Sequence, residues 1–416
     1  MARALTKETI LSSRSFLDFA KKLYDLPTET VAERYSSLTE GLQNNVRFFS
    51  ASGRAEMIGN HTDHNHGFVI ASAIDMDVVA AVNVTAGDSI TICSVGYPAF
   101  TVGLYDDTIN EKMYGTSDAL LKGVLKGFRD HGRKIGPFVA NTHSTIFKGA
   151  GVSSSAAFEL LLCQILNVLY NDGKMDYKEM AIISQYAENV YFGKPSGLMD
   201  QLTVAHGGVS YMDFFDPTVP SAKSLDWTFS DLKLVIVNCG GDHCNLTDEY
   251  AAIRTEMHAV AEFFGKKVLR EVDEDAFFAA LPELKQKFTG RAILRAMHFF
   301  EENERVHAAY DALKKQDADA FLDLITASGT SSYELLQNCY PSGDPAQPIP
   351  LALQILKRQK ATLACRVHGG GFAGTALAFV KKENAADYIA YLKTLFGEKN
   401  VFGISVRNSG PVEVTL

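Results

Sequence analysis

The sequence is short of the features that mark secreted, membrane-spanning or nucleic-acid-binding chains. Its 416 residues hold only 6 cysteines. These are Cys93, Cys163, Cys239, Cys244, Cys339 and Cys365, scattered with no CxxC pair, which fits buried reduced thiols better than a disulfide or zinc framework. No run of 18 or more apolar residues occurs, which argues against a membrane-spanning helix. The opening MARALTKETILSSRSF has no basic region leading into an apolar core, so a cytoplasmic protein is expected. Positive charge is in deficit: 40 Lys and Arg face 49 Asp and Glu, a net charge of −9. Such a field repels phosphate backbones, and neither nucleic acid nor membrane is expected as a partner. No repeat of 20 to 50 residues is visible, which removes solenoids and propellers.

What is present is the composition of a soluble globular protein, 46% hydrophobic and 21% charged, able to bury a large core. At about 150 residues per domain the length suggests two or three domains. No linker or block of like charge separates them, so two closely packed lobes are expected. Helical spacing runs from Ser13 to Leu42. Short β-branched segments follow at Val46 to Ser50, Phe68 to Ile74, Val78 to Val84 and Ser89 to Ser94, with a loop expected over Gly53 to Gly67. Ser155 to Tyr170 and Tyr177 to Tyr191 read as helices, and Gly207 to Phe214 and Leu232 to Asn238 as strands. Helical patterns then dominate from Leu246 to Arg358, before strand candidates at Ala361 to Val367 and Thr375 to Val380. The mixture in both halves points to an α+β class without regular βαβ units.

Four stretches carry chemistry. Lys148 to Ala156, KGAGVSSSA, is a glycine-rich run opening into the apolar helix. Glycine backbone and free N–H groups of a first helical turn can hold phosphate. A plain Ser N-cap explains the serines equally well, and without a closing Gly-Lys-Ser/Thr this is no Walker A loop. Gly53 to Gly67, GRAEMIGNHTDHNHG, is rich in donors and acceptors suited to a polyhydroxy ligand. Its histidines with Asp63 also suggest metal, though in no recurrent zinc spacing. Glu188, at a helix end, and the segment GKPSGLMDQ, with Asp200 ahead of a strand, could aim two carboxylates into one cleft, or be solvated acids. Last, His368 to Gly374, HGGGFAG, lies between strands, so its glycines indicate tight backbone packing, not a dinucleotide fingerprint.

Taken in chain order, from Gly53 to Gly374, the stretches resemble the galactokinases of the GHMP family of small-molecule kinases. GRAEMIGNHTDH is similar to a GRxNxIGEHTDY motif, GAGVSSSA to GxGLSSSA, GGGFAG to GGGFGG, and GKPSGLMDQ to GxxSGxMDQ. The resemblance implies a two-lobed α+β GHMP kinase fold, an N-terminal lobe like ribosomal protein S5 domain 2 over 1–213 and a ferredoxin-like C-terminal lobe over 214–416, with the active site between them. It implies ATP-dependent phosphorylation of the anomeric hydroxyl of galactose, in a monomer or dimer whose ligands are sugar and ATP. Asp200 stands at the family's base and Arg54 at the arginine beside it. Gly149, Ala150, Gly151, Val152, Ser153, Ser154 and Ser155 stand at the ATP phosphate loop, and Ser155 and Glu188 at the ligands of Mg²⁺. Asn60, His61, Thr62, Asp63 and Tyr250 stand at the sugar pocket, in a region that also includes His243.

The sequence departs from the family at several of these positions. Asn60 replaces the usual Glu, Glu56 the usual Asn and His64 the usual Tyr; Phe147 replaces a proline, and Ser117 and Leu120 stand where aromatics hold adenine. Loss of a carboxylate at 60 keeps open a kinase for galacturonate or N-acetylgalactosamine. A regulator that binds sugar and ATP without turnover is the alternative of another class.

Overall fold

The computed structural model describes residues 5–42, 45–146, 151–194, 196–216, 218–240, 246–341, 343–372 and 374–416. Expectations for Phe147, Lys148, Gly149, Ala150, Pro195, His243, Cys244 and Ala373 lie outside these residues. Among the described residues twelve strands form two sheets around which the helices pack. The first eight are β1 (Arg47–Ile58), β2 (Phe68–Val84), β3 (Ser89–Ser94), β4 (Phe100–Gly103), β5 (Phe138–Ser144), β6 (Val209–Asp213), β7 (Ser221–Leu225) and β8 (Leu232–Asn238). They are followed by β9 (Thr362–His368), β10 (Thr375–Lys381), β11 (Val401–Ile404) and β12 (Val412–Val414). The larger sheet runs β12-β1-β2-β5-β3-β4, with β6 on β2 and β7 on β6; the smaller is β11-β8-β10-β9.

Two expectations about the first sheet are corrected. Gly53 to Ile58 is not loop: β1 continues through it to Ile58. Phe49, Ala51, Ala55 and Met57 face one core, while Ser50, Ser52, Arg54 and Glu56 are buried on the other side of the strand. The period of two was there, but polar residues at alternate positions read as loop because their partners are distant in sequence. Register shifts beside Ser52/Arg54 and Glu56/Ile58 mark bulges, which re-aim side chains where a strand borders a site. Likewise β2 does not break at Asp75 to Asp77 but runs on for 17 residues. Asp75 accepts from the Ser405 N–H at 2.9 Å, and Asp77 is paired with Arg34 at 2.5 Å and Arg407 at 3.4 Å.

The Ser154–Tyr170 helix is buried over most of its length and packs against β1 and β2. The expected helix to Tyr191 divides into an α-helix, Tyr177–Tyr186, and a π-helical turn, Ala187–Tyr191, that carries Glu188. Asp200 does not precede a strand directly; it lies in the first turn of the Met199–His206 helix. Two strands beyond residue 213 belong to the first sheet: β7 pairs with β6, and β12 with β1, while β11 joins the second sheet. Among the described residues no helix is long and apolar enough to cross a membrane.

Candidate active site

The site forms where β1 meets the turn between β9 and β10, with the start of the Ser154–Tyr170 helix and the Met199–His206 helix closing it. Arg54 leaves β1 beside its bulge and grips Asp200 with two bonds, Nε to Oδ1 at 2.7 Å and Nη2 to Oδ2 at 2.9 Å. Its third arm, Nη1, donates to the Gly151 carbonyl at 2.5 Å. One guanidinium thus joins a carboxylate to the described end of the glycine-rich loop, a bidentate geometry that only arginine supplies. Burial pushes the Asp200 carboxyl up, but the charges of Arg54 and then Lys194 outweigh it and hold Asp200 below the usual carboxylate range. Its place in a first helical turn favours the same ionised form.

The loop end is fixed by its neighbours. Arg54 N–H donates to the Val152 carbonyl at 3.0 Å, and a Cβ at Gly151, whose φ is +68°, would overlap Thr375 Oγ1. Ser153 begins the helix at φ +60° without capping it through its side chain, contrary to a plain Ser N-cap. A non-glycine residue in that region carries strain, and, as at any helix start, the first-turn N–H groups of Ser154 and Ser155 have no intrahelical partners.

Glu188 is fully buried and is surrounded by donors. Ser155 Oγ donates to Oε1 at 2.7 Å and Lys194 Nζ approaches it at 3.0 Å. Ser196 Oγ and Gln201 Nε2 donate to Oε2 at 2.7 and 2.6 Å. The ammonium of Lys194 stands in for a cation beside Ser155 and Glu188, and that pair of hard oxygen donors fits Mg²⁺. Among the described residues there is no group of three or more His, Cys, Asp or Glu that could hold a metal.

The expected sugar residues divide into two sets. Asp63 stands half-buried in the cleft, where its carboxylate would collide with any Cβ at Gly197. Burial, helped by the charge of Asp200, raises it to about 6. His61 Nε2 lies 2.9 Å from the Gly370 carbonyl, and burial lowers the imidazole to about 4, so it is neutral with its proton on Nε2. Tyr250 donates to the Gly371 carbonyl at 2.8 Å. Asn60 and Thr62, by contrast, are 0% exposed, and direct sugar contact by their side chains is not what the structure shows. Thr62 Oγ1 is spent on the Gly59 and Phe68 carbonyls at 2.9 and 2.6 Å. Asn60 Nδ2 donates to Glu56 Oε1 and the Gly369 carbonyl, both at 2.8 Å, and its Oδ1 accepts from Asn338 at 2.7 Å and Ser332 at 3.3 Å.

Several residues of the site escaped the sequence reading. Glu302, on the Gly290–Lys315 helix, accepts the Gly59 N–H at 2.9 Å and holds the turn after β1; His298 Nε2 reaches the Asn60 carbonyl at 2.9 Å. Their signal was a polar residue within a buried stripe, Glu302 falling at helical spacing between Phe299 and Val306. Arg366 precedes the glycine run on β9, while His368 lies inside the HGGGFAG stretch, and Lys194, Ser196 and Gln201 inside the GKPSGLMDQ stretch, already singled out.

Known proteins give matches over the same regions. A galactokinase galactose-binding signature matches residues 37–84, and the GHMP kinases N terminal domain matches residues 119–208. A galactokinase of Streptomyces coelicolor is 30% identical over 354 residues, 85% of this chain and 88% of that one. A galactokinase of Clostridium tetani is 29% identical over 344 residues, 82% of this chain and 85% of its own. In fold the chain is similar to Lactococcus lactis galactokinase complexed with galactose, with a TM-score of 0.77 at 22% identity, covering 89% of this chain and 95% of that one.

Proposed function

The chain belongs to the galactokinases of the GHMP kinase family, and from that premise we propose that it transfers the γ-phosphoryl group of ATP to the anomeric hydroxyl of galactose, giving galactose 1-phosphate. The observation that carries this reading is the Arg54 guanidinium, bound at once to both oxygens of Asp200 and to the Gly151 carbonyl. The group that takes a proton and the loop that holds phosphate are thereby kept at a fixed separation, and in phosphoryl transfer positioning and electrostatics supply most of the acceleration.

In this reading Asp200 accepts the proton of the anomeric hydroxyl as its oxygen bonds to the γ-phosphorus and the bond to the β-phosphate oxygen breaks. Arg54 keeps Asp200 ionised beforehand and offsets the charge gathering on the transferred group. Asp63 orients the sugar by accepting ring hydroxyls, an arrangement that rejects an epimer unable to fill it. His61 and Tyr250 act one step back, holding the glycine run that walls the pocket. Gly149 to Ser155 hold the phosphates, and Ser155 and Glu188 would hold Mg²⁺, which when bound supplies positive charge to the phosphate oxygens. The first lobe is closed by β7 and β12, so the division expected at 213 falls after β7 in this proposal.

Among the described residues nothing in the site favours a galactose derivative or a non-catalytic regulator. The amide of Asn60 is consumed inside the protein, and Asp200, Arg54, Ser155 and Glu188 are arranged together. The test is ADP release with Mg²⁺, ATP and galactose in the unchanged chain and in Asp200→Asn, with galactose binding followed calorimetrically. The expected result is turnover in the first and binding without turnover in the second. Undiminished turnover in D200N overturns the assignment of the base.

A further inference from the structure

Two positions at which the first motif departs from its family, Glu56 and Asn60, touch each other. Asn60 Nδ2 donates to Glu56 Oε1 at 2.8 Å, so the amide and the carboxylate have changed places across a hydrogen bond rather than being lost singly. Glu56 accepts further from Arg366 Nη2 at 3.3 Å, and Arg366 is 0% exposed. A buried guanidinium left without its carboxylate is costly, and so are two carboxylates within hydrogen-bond distance. One negative charge therefore suits this pair of positions, and here it sits on Glu56, which Arg366 reaches.

The pair lies at the junction of the site's three parts. The second Asn60 donor holds the Gly369 carbonyl at 2.8 Å, and a Cβ on Gly369 would lie 3.9 Å from the Arg54 guanidinium. The Glu56 N–H donates to His368 Nε2 at 3.1 Å, and His368 Nδ1 lies 3.1 Å from Thr375 Oγ1, the atom packed on Gly151. Asn338, which fills the Asn60 oxygen, also receives the Phe372 N–H on its carbonyl at 2.5 Å.

We propose that Glu56 and Asn60 are positioning residues acting as one exchanged carboxylate–amide unit, which seats the glycine run against Arg54 and through it sets the alignment of Asp200 with the phosphate loop. The inference rests on the galactokinase reading for its kinetic readout. Burial raises the Glu56 carboxyl to about 7 in spite of Arg366 and Arg54, so a second carboxylate beside it would be disfavoured further.

A double-variant cycle tests it: kcat, KM for each substrate and Tm are measured for the unchanged chain, E56N, N60E and E56N/N60E. Each single change is expected to lower kcat about tenfold with a smaller effect on KM, and the double change to return kcat to within about threefold, the non-additivity of contacting residues. A double variant whose loss in kcat is the product of the two single losses overturns the proposal. E56Q carries the test where N60E does not fold, since it keeps the shape of Glu56 without its charge; kcat within about twofold of the unchanged chain contradicts the unit. An unchanged chain inactive on galactose overturns the galactokinase reading instead. The cycle is then read in Tm, where restoration in the double variant supports the unit and additive losses overturn it.

Discussion

A carboxylate can stand in a cleft only where its neighbours leave room, and for Asp63 the room is Gly197. A methyl group there would overlap the Asp63 carboxylate, so Gly197→Ala should displace Asp63 and raise KM for galactose about tenfold or more while leaving KM for ATP near its starting value; equal changes in both would contradict the placement. Because burial and Asp200 raise Asp63 to about 6, its accepting form is lost below that pH. Galactose KM should therefore climb as pH falls through about 6, and Asp63→Asn should remove the climb; a D63N profile that keeps it would assign the titration elsewhere. At this scale the sequence was most legible where one residue type does one job. Arg54 pairs with Asp200, and Ser155 with Glu188. The buried setting of Asn60 was not legible because its side-chain partners, Glu56 aside, lie on segments more than 270 residues away, at Ser332, Asn338 and Gly369, and no local pattern announces them.

Among elements, the hardest to read was β1, since its polar face is buried against other segments rather than solvated. Periodicity reports a face; it does not report what covers it. The turn that ends β1 is held by the Gly290–Lys315 helix through Glu302, whose carboxylate takes the Gly59 N–H, the Ser328 hydroxyl and the Arg305 guanidinium. Burial alone would raise Glu302, but His298, Arg366 and Arg305 outweigh it and lower it from 4.5 to about 2. A depressed carboxyl contributes stability that is present above the unfolded value and lost as pH falls through the folded one. The Tm gap between the unchanged chain and Glu302→Gln should thus be widest above pH 4.5 and close towards about 2; a gap that does not vary with pH would contradict it. The phosphate loop makes a parallel case: Gly151→Ala should raise KM for ATP, because φ +68° and Thr375 leave no place for a Cβ, and an unaffected KM would contradict that packing.

At the scale of the whole molecule the chain closes on itself. After β11 in the second sheet it crosses to β12 in the first, and on the way Arg407, fully buried, binds Ser50 at 2.7 Å and Asp77 at 3.4 Å. Asp77 is shared with Arg34 at 2.5 Å and Tyr24, which brings the N-terminal helices to the same point. Arg407→Met should lower stability by about 3 kcal/mol or more, since it leaves a buried carboxylate short of a partner, and a urea midpoint within error of the unchanged chain would contradict that role. The α+β class and the ordered motifs were legible from sequence, whereas this closure was not, because the strand-like Val401 to Leu416 segment carries no local sign of which sheet receives it. The measurement that bears most directly on the central claim is ³¹P and ¹³C NMR of the product formed from ATP, Mg²⁺ and galactose. The account predicts galactose 1-phosphate in step with ADP, lost in D200N, while phosphate on another hydroxyl, or ADP formed without a sugar phosphate, would contradict it.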